Sequence, residues 1–198
     1  TRRAHGNKEV KTLLRSRTKH IHSEASVALS SLLRSSQTEF LFQVCKSPSE
    51  IFARKILIIA ELSIPQCTKY RVTQKKEMFD LLGIDCKIVS WHEHEEAKKW
   101  ISLSSLVIFY RVPGFDGVIS LIDECKRLGV KSIWDVDDLI FDQRVLEESS
   151  TINSLAKKDR VPLINGAKLY RKAMLACDEG MASTAGLAAA MKDAGMSK

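Results

Sequence analysis

The apolar run from Lys55 to Ala60, KILIIA, limits the fold more than any other stretch of the sequence. Its length suits a β-strand, and apolar side chains fall on both faces of that strand, so both faces must be covered. Strands of this kind occur in parallel sheets that carry helices on each side. The run therefore predicts the first strand of an α/β domain.

Strand-like and helix-like patterns alternate after this run, which predicts βαβ units with right-handed crossovers in a doubly wound parallel sheet. The most regular helix has its apolar residues on one stripe and is closed by Gly129. The other predicted strands are residues 86–91, 106–111, 131–136 and 180–183. The predicted helices are residues 69–82, 93–101, 116–128, 163–177 and 184–194, and an insertion over residues 143–162 includes a further short helix.

Ligands of open parallel sheets bind beyond the carboxyl ends of the strands. The predicted loops at that edge are residues 61–69, 91–95, 111–116, 135–142 and 183–186, and polar residues concentrate there. No glycine occurs between Gly6 and Gly83. The first loop therefore lacks the G-x-G-x-x-G pattern through which a backbone approaches a pyrophosphate, and a standard NAD or FAD site is not expected.

The fourth predicted strand contains Asp135 and is followed directly by Asp137 and Asp138, in the stretch KSIWDVDDLIFD. Carboxylates are rarely buried without a partner, so Asp135, Asp137 and Asp138 should face a cleft or meet a cation. Three interpretations stay open. Two adjacent carboxylates could hold a divalent cation. One carboxylate could act as a general base or orient an acceptor hydroxyl. Alternatively, Asp138 could cap a turn.

Cationic and aromatic side chains stand beside this edge. Lys69, Tyr70 and Arg71 lie near a predicted helix start, which suits an anionic group of a ligand, although a solvated helix end has the same pattern. Arg111 follows the third strand directly, and its guanidinium can hold a carboxylate or a phosphate through two hydrogen bonds. The alternative for Arg111 is a structural ion pair with a neighbouring aspartate.

Metal ligation and disulfide formation have little support. His92 and His94 flank Glu93 in the sequence WHEH, but two histidines without a third ligand do not predict a metal site. The five cysteines are widely spaced and form no C-x-x-C pair. Neither a zinc site nor a disulfide framework is expected, and reduced, inert thiols suit the cytoplasm.

The net charge of +7 is concentrated in the N-terminal quarter of the chain. Residues 1–55 contain eleven Lys and Arg against four Glu, whereas residues 56–198 carry equal numbers of each sign. A nucleic-acid-binding protein would more often carry a basic face on its folded body, so nucleic acid is not the expected partner. We predict a basic helical leader over residues 1–54 and a neutral domain over residues 55–198.

The role of the leader has three interpretations. Apolar residues that recur three and four positions apart predict a helix. The first interpretation is that this helix links the domain to a preceding segment. A surface helix that contacts anionic lipid or a partner is the alternative, and it would place the protein at the inner face of the membrane. An RNA-binding leader is the third, and its RNA binding should weaken steeply with salt.

Several blocks together resemble a known family. The stretches KILIIAELSIPQCTKYRV, KKEMFDLLGIDCKIVSW, LVIFYRVPGF, IDECKRLGVKSIWDVDDLIFD and LYRKAMLACDEGMASTAGLAAAM occur in this order between Lys55 and Met191. They resemble the N-terminal, acceptor-side domain of bacterial GT-B-type glycosyltransferases with a family-four-like fold, which build cell-surface polysaccharides. The aspartate-rich block and the Pro-x-Cys-x-x-Tyr-Arg-Val block are the more specific of these.

The resemblance implies a Rossmann-like domain, one half of a GT-B fold, that holds a glycan acceptor beside a nucleotide-sugar donor. It also implies sugar transfer with retention of configuration, with no metal and no cofactor apart from the nucleotide-sugar as co-substrate. Asp137 and Asp138 would then be the catalytic residues. The substrate-binding residues would be Lys69, Tyr70, Arg71, Arg111, Asp135, Ser183 and Thr184.

Two departures from the family pattern bear on these expectations. Many relatives place a histidine where Asp137 stands here, so the role of that histidine would pass to a carboxylate. The donor-binding C-terminal domain, with its Glu-x7-Glu-like motif, is expected in a continuation of the chain or in a partner chain. The alternatives are a non-catalytic scaffold module of a glycan-assembly complex and, less well supported by the acidic pattern, a receiver-like signalling domain.

Overall fold

The structure is a computed structural model that describes residues 54–197. Its five strands are β1 (Lys55–Ala60), β2 (Asp85–Ser90), β3 (Leu106–Tyr110), β4 (Lys131–Val136) and β5 (Glu179–Ala182). All neighbouring strands run parallel, in the order β2-β1-β3-β4-β5. The predicted α/β class, with a Rossmann-like doubly wound sheet, is confirmed. The predicted leader lies outside the described residues, apart from Arg54.

The helices connect these strands. The first begins as α1 (Pro65–Cys67), continues through a π-helical segment (Thr68–Thr73) and ends as α2 (Gln74–Leu81). The others are α3 (His94–Ile101), α4 (Asp116–Leu128), α5 (Gln143–Glu148), α6 (Ser150–Asn153), α7 (Lys157–Ala176) and α8 (Ala185–Asp193). No helix among residues 54–197 is both long enough and apolar enough to cross a membrane.

The first helix begins four residues before the predicted position. Pro65 occupies its first turn, where the missing N–H is one of the donors left unpaired at any helix start. Lys69, Tyr70 and Arg71 therefore lie one turn inside the helix, in the π-helical segment. The helix start near which these three residues were predicted to lie is therefore one turn earlier, at Pro65.

Helix α7 also differs from its predicted bounds. It begins at Lys157 rather than at residue 163 and keeps Pro162 inside it. A proline removes one backbone hydrogen bond and disfavours a helix, which is why the sequence predicted a break there. Packing of α7 against α4 and α5 offsets this local cost. By contrast, β1, β4 and α4 have their predicted bounds, and Gly129 ends α4 in the left-handed conformation at φ +68°.

The sheet separates two clusters of core side chains, because alternate residues of a strand face opposite sides. Leu57, Phe109 and Trp134 belong to the larger cluster, which is covered by α3, α4, α7 and α8. Ile58 and Tyr110 belong to the smaller cluster, covered by the π-helical segment and α2. The polar residues that end β3 and β4 on this second side therefore face the first helix.

Gly114 sits where the loop after β3 contacts α7. A Cβ atom at this position would lie 2.8 Å from both the Leu169 carbonyl oxygen and the Ala173 backbone nitrogen. We expect Gly114→Ala to lower the free energy of unfolding by about 1–3 kcal/mol, because backbone atoms must move apart. Gly166→Ala is the control, since its Cβ would meet nothing within 4 Å and should stabilise the helix. Equal urea midpoints for the two variants would contradict this prediction.

The four described cysteines are free thiols, as the sequence predicted. Burial raises the pKa of Cys86 to about 11 and that of Cys125 to about 12, so both are protonated at neutral pH. Burial also raises the pKa of Cys177. Three of the four thiols are therefore unreactive core groups.

Candidate functional site

The carboxyl ends of β1, β3 and β4 lie side by side and bring separate loops together. Ala60 pairs with Tyr110, and Tyr110 pairs with Asp135. The chain leaves β1 toward β2 and returns to β3 on the other side of β1, so β1 and β3 flank the point where the strand order reverses. Ligands of doubly wound sheets bind in the crevice at such a point.

Asp135 is a fully buried carboxylate at this edge of the sheet. Its side chain has no exposed surface, and its two carboxylate oxygens contact the Arg71 guanidinium and the Lys75 ammonium, one each. Burial lowers the pKa of Lys75, and the attraction of Asp135 only partly opposes this shift. Since the carboxylate is enclosed by its two cations, Asp135 holds the first helix against the sheet and is covered from solvent.

The π-helical segment shapes this contact. Arg71 lies inside the segment and Lys75 follows it by four residues, so the two cations occupy the same side of the helix. Single wide turns of this type are uncommon and often occur at functional sites. The segment also buries the Arg71 Nε and Thr68 Oγ1 atoms without hydrogen-bond partners among the described residues.

Asp137 follows Asp135 by two residues, and its side chain is partly exposed in the crevice. The Tyr110 hydroxyl donates to its carboxylate, at 3.1 Å from Oδ1 and 3.2 Å from Oδ2. Arg111 Nη1 lies 3.2 Å from Oδ1, and Arg111 Nη2 lies 3.9 Å from Asp138 Oδ2. The Asp137 side chain is 24% exposed and that of Asp138 is 65% exposed. Both carboxylates can therefore contact a ligand.

Arg111 has an unusual backbone. Its φ angle is +53°, and among residues 54–197 no other non-glycine residue has a positive φ. Its N–H donates to the Asp135 carbonyl oxygen at 2.9 Å, which carries the sheet bonding one residue beyond β3. This left-handed conformation directs the side chain to Asp137 and costs free energy that surrounding contacts must supply. Such backbone strain is concentrated at functional sites.

The remaining predicted site residues are near this cluster in the chain or the sheet register, but the structure describes no hydrogen bond or ion pair between them and Asp137, Asp138 or Arg111. Lys69 and Tyr70 are exposed, and the Lys69 ammonium lies 5.6 Å from the centre of the Tyr70 ring. Ser183 and Thr184 are exposed, and Thr184 Oγ1 accepts a hydrogen bond from the Leu187 N–H, which caps α8. The described contacts of Thr184 are therefore structural.

The capping interpretation of Asp138 has a direct counterpart in the structure. Its Oδ1 atom accepts a hydrogen bond from the Leu139 N–H at 2.8 Å, so Asp138 stabilises the turn after β4. The other oxygen is the one that approaches Arg111. Asp138 thus combines a turn contact with an exposed carboxylate.

A second group at the same edge joins the loops after β1, β2 and β3. Trp91 donates its indole N–H to Glu61 Oε2 at 2.8 Å, and its ring is stacked on Phe115 with 5.8 Å between ring centres. Burial raises the pKa of Glu61, but hydrogen bonds from the Ser63 N–H and from Trp91 outweigh burial and hold it below its ordinary value. Glu61 is therefore ionised at neutral pH.

Backbone hydrogen bonds connect the two groups. The Glu61 N–H donates to the Tyr110 carbonyl oxygen at 3.1 Å, and the Trp91 N–H donates to the Ala60 carbonyl oxygen at 3.2 Å. The Asp137 group and the Trp91 group therefore lie along one edge of the sheet.

The histidines of WHEH do not meet at a common point. The His92 ring packs on Trp91 with 3.8 Å between ring centres, whereas the His94 ring packs on Gly117. Within the part of the chain that the structure describes, no three His, Cys, Asp or Glu side chains are grouped to hold a metal ion.

Sequence reasoning missed Lys75, Tyr110 and the Glu61–Trp91 pair. Lys75 lies four residues after Arg71, and this spacing places both on one helix face, so the signal was present. Tyr110 was counted only as part of a buried strand, although a buried phenol needs a hydrogen-bond partner. Glu61 and Trp91 are thirty residues apart, and no local pattern joins them.

The Glu61 contacts give a pH-dependent prediction. Since its pKa is lowered in the folded protein, Glu61 adds stability above its ordinary value of 4.5 and loses that contribution as the pH falls through the folded value. We expect wild type to exceed Glu61→Gln in free energy of unfolding at neutral pH, with the difference shrinking below pH 4.5. Urea titrations across this range measure it. A difference that grew in acid would contradict the assignment.

The chain matches no protein-family model and no curated protein. Asp137 and Asp138 offer carboxylate oxygens that can accept hydrogen bonds, and Arg111 offers guanidinium donors beside them. This combination can orient a hydroxyl group and hold an anionic group next to it.

Proposed function

We propose that the domain is the acceptor-binding half of a retaining, sugar-nucleotide-dependent glycosyltransferase in surface polysaccharide or other glycan synthesis. The observation that carries this proposal is the partly exposed Asp137 carboxylate, held by Tyr110 and Arg111 at the carboxyl edge of a parallel sheet. A carboxylate that is fixed in this way and still partly exposed can accept a hydrogen bond from a ligand hydroxyl. The resemblance of the ordered sequence blocks supports the same reaction class.

The proposed reaction assigns each group a role. The bond between the anomeric carbon and the departing phosphate breaks, the acceptor hydroxyl oxygen bonds to that carbon, and its proton passes to the phosphate. Asp137 accepts a hydrogen bond from a sugar hydroxyl and stabilises positive charge at the anomeric carbon. Asp138 lines the same edge. The free donors of Arg111 bind a phosphate oxygen of the donor or an anionic group of the acceptor.

The proposal requires a donor-binding domain, supplied by the same polypeptide or by a partner chain. Its substrates are a nucleotide-sugar and a glycan acceptor. We also propose a cytoplasmic location, with the basic leader contacting the inner face of the membrane.

The test is a transfer assay on the native protein together with any chains that purify with it. The donors are UDP-, GDP- and ADP-sugars labelled in the sugar, and the acceptors are methyl glycosides. The expected result is a labelled disaccharide whose new linkage keeps the anomeric configuration of the donor, in the presence of EDTA. The absence of both transfer and hydrolysis with every donor would refute the proposal.

A non-catalytic glycan-binding module is the second candidate. It is favoured by the ion pairing within the domain, since Asp135 and Asp137 both have cationic partners of their own. Structural ion pairs also perturb the pKa values of charged groups, so such a cluster alone does not require catalysis. This candidate predicts glycan binding without transfer, even when a donor domain is present.

A further inference from the structure

Phe115 occupies a position that ordinarily carries a small polar residue. It is the N-cap of α4, with extended backbone angles and no side-chain hydrogen bond to the helix. Ser, Thr, Asp and Asn are preferred there because their oxygens accept a hydrogen bond from the first turn. Phenylalanine gives up this stabilisation, and the residue is 48% exposed. Its side chain therefore has no evident structural role in capping the helix.

The loop that carries Phe115 is held rigidly. The Trp134 indole N–H donates to the Val112 carbonyl oxygen at 3.2 Å, and the Gly114 N–H donates to the Leu169 carbonyl oxygen at 2.8 Å. Val112, Pro113 and Gly114 are buried, and the exposed ring follows immediately. A binding surface that is ordered in advance loses little entropy when a ligand arrives.

The surroundings of the ring indicate a neutral, hydroxyl-rich ligand. Trp91 stacks on Phe115 at an interplanar angle of 15° and connects it to Glu61. Each Glu61 oxygen accepts one described hydrogen bond and has a second lone pair. The next residue, Asp116, is fully exposed and accepts a hydrogen bond from the Lys172 ammonium at 3.2 Å. The negative charge of Glu61 disfavours a phosphate-bearing ligand at this point.

We propose that Phe115, supported by Trp91, is the stacking surface for a pyranose ring of the acceptor, and that Glu61 accepts a hydrogen bond from a hydroxyl of that ring. The electron-rich face of an aromatic ring attracts the partly positive C–H groups on one side of a pyranose. The Glu61 N–H donates to the carbonyl oxygen of Tyr110, whose hydroxyl donates to Asp137, so this surface lies on the same edge of the sheet as Asp137. The inference rests on the proposed function and assigns the binding of a sugar ring of its glycan acceptor to Phe115 and Glu61.

The test is saturation-transfer NMR on the 198-residue chain, with methyl glycosides of glucose, galactose, mannose and N-acetylglucosamine and with uridine as probes. We expect at least one glycoside to bind, with saturation strongest at protons on one face of its ring. Phe115→Ser should weaken this binding about tenfold or more, because an aromatic contact is lost. Phe115→Tyr should bind the same glycoside, because it keeps the ring.

Phe115→Ser is also a favourable variant for folding, because serine restores the N-cap. Its melting temperature should stay within a few degrees of wild type, since the regained cap offsets the lost stacking on Trp91. Leu81→Ser is the matched control. Leu81 is 89% exposed at the end of α2, which runs toward the amino edge of the sheet, and this variant should bind glycosides like wild type.

Three results would overturn the inference: unchanged glycoside binding by Phe115→Ser, no glycoside binding by wild type, or uridine bound at Phe115 in place of the glycosides. Its failure is distinguishable from failure of the proposed function. Sugar transfer with an unchanged acceptor KM in Phe115→Ser refutes only the stacking surface. Glycoside binding that depends on Phe115, without transfer under any condition, refutes only the glycosyltransferase.

Discussion

Asp135→Asn is expected to lower the free energy of unfolding by about 3–5 kcal/mol. The substitution keeps the shape of the side chain but leaves the Arg71 and Lys75 cations facing a neutral amide. Their side chains are only 19% and 16% exposed, so water compensates little for the lost charge. Urea or thermal unfolding of the purified variant measures the effect.

Two further variants separate this charge effect from a general loss of packing. Asp135→Asn combined with Lys75→Met should be more stable than Asp135→Asn alone, because one uncompensated cation is removed. Asp80→Asn, which breaks the exposed contact with Lys76 at 2.7 Å, should leave the unfolding midpoint unchanged. A wild-type midpoint for Asp135→Asn would show that the buried carboxylate does not stabilise the first helix.

Asp137→Ala is expected to reduce sugar transfer by about 10²–10⁴-fold while the protein stays folded. The carboxylate is partly exposed, so its removal costs less stability than that of Asp135, and the donors of Tyr110 and Arg111 can turn to water. The loss should appear in kcat, with little change in the affinity for the acceptor. Steady-state kinetics with the donor identified by the transfer assay measure it.

Matched variants define the role of the Asp137 carboxylate. Asp137→Asn keeps the hydrogen bond from Tyr110 and should be as inactive as Asp137→Ala if negative charge is required. Asp123→Asn, on the exposed side of α4, is the control and should turn over normally. Normal turnover by Asp137→Ala would remove Asp137 from the mechanism.

Tyr110→Phe tests the hydrogen bond that the Tyr110 hydroxyl donates to Asp137. It removes only the hydroxyl that donates to Asp137 and leaves the buried ring in the core of the second sheet face. A reduced kcat with normal stability would indicate that the hydroxyl orients the Asp137 carboxylate. Such a residue acts through Asp137 and does not itself contact the reacting atoms.

The sequence predicted the sheet because the evidence for it is local. A short apolar run such as Lys55–Ala60 can be satisfied only by cover on both faces, and regular helices between such runs require parallel strands. The bounds of β1, β4 and α4 follow from hydrophobic periodicity, and Gly129 marks a helix end that needs a positive φ. The same reasoning placed the polar loops at one edge of the sheet.

Tertiary structure alone decided which carboxylate is buried and which is free. Asp135 and Asp137 are two residues apart, and the alternation of a strand would place both on one face. Because β4 ends at Val136, Asp135 remains in the sheet beneath Arg71 and Lys75, whereas Asp137 turns into the crevice. The partners of Asp135, Arg71 and Lys75, lie 64 and 60 residues earlier in the chain, and no local pattern pairs them with Asp135. Long-range packing therefore separates a structural aspartate from the candidate catalytic one.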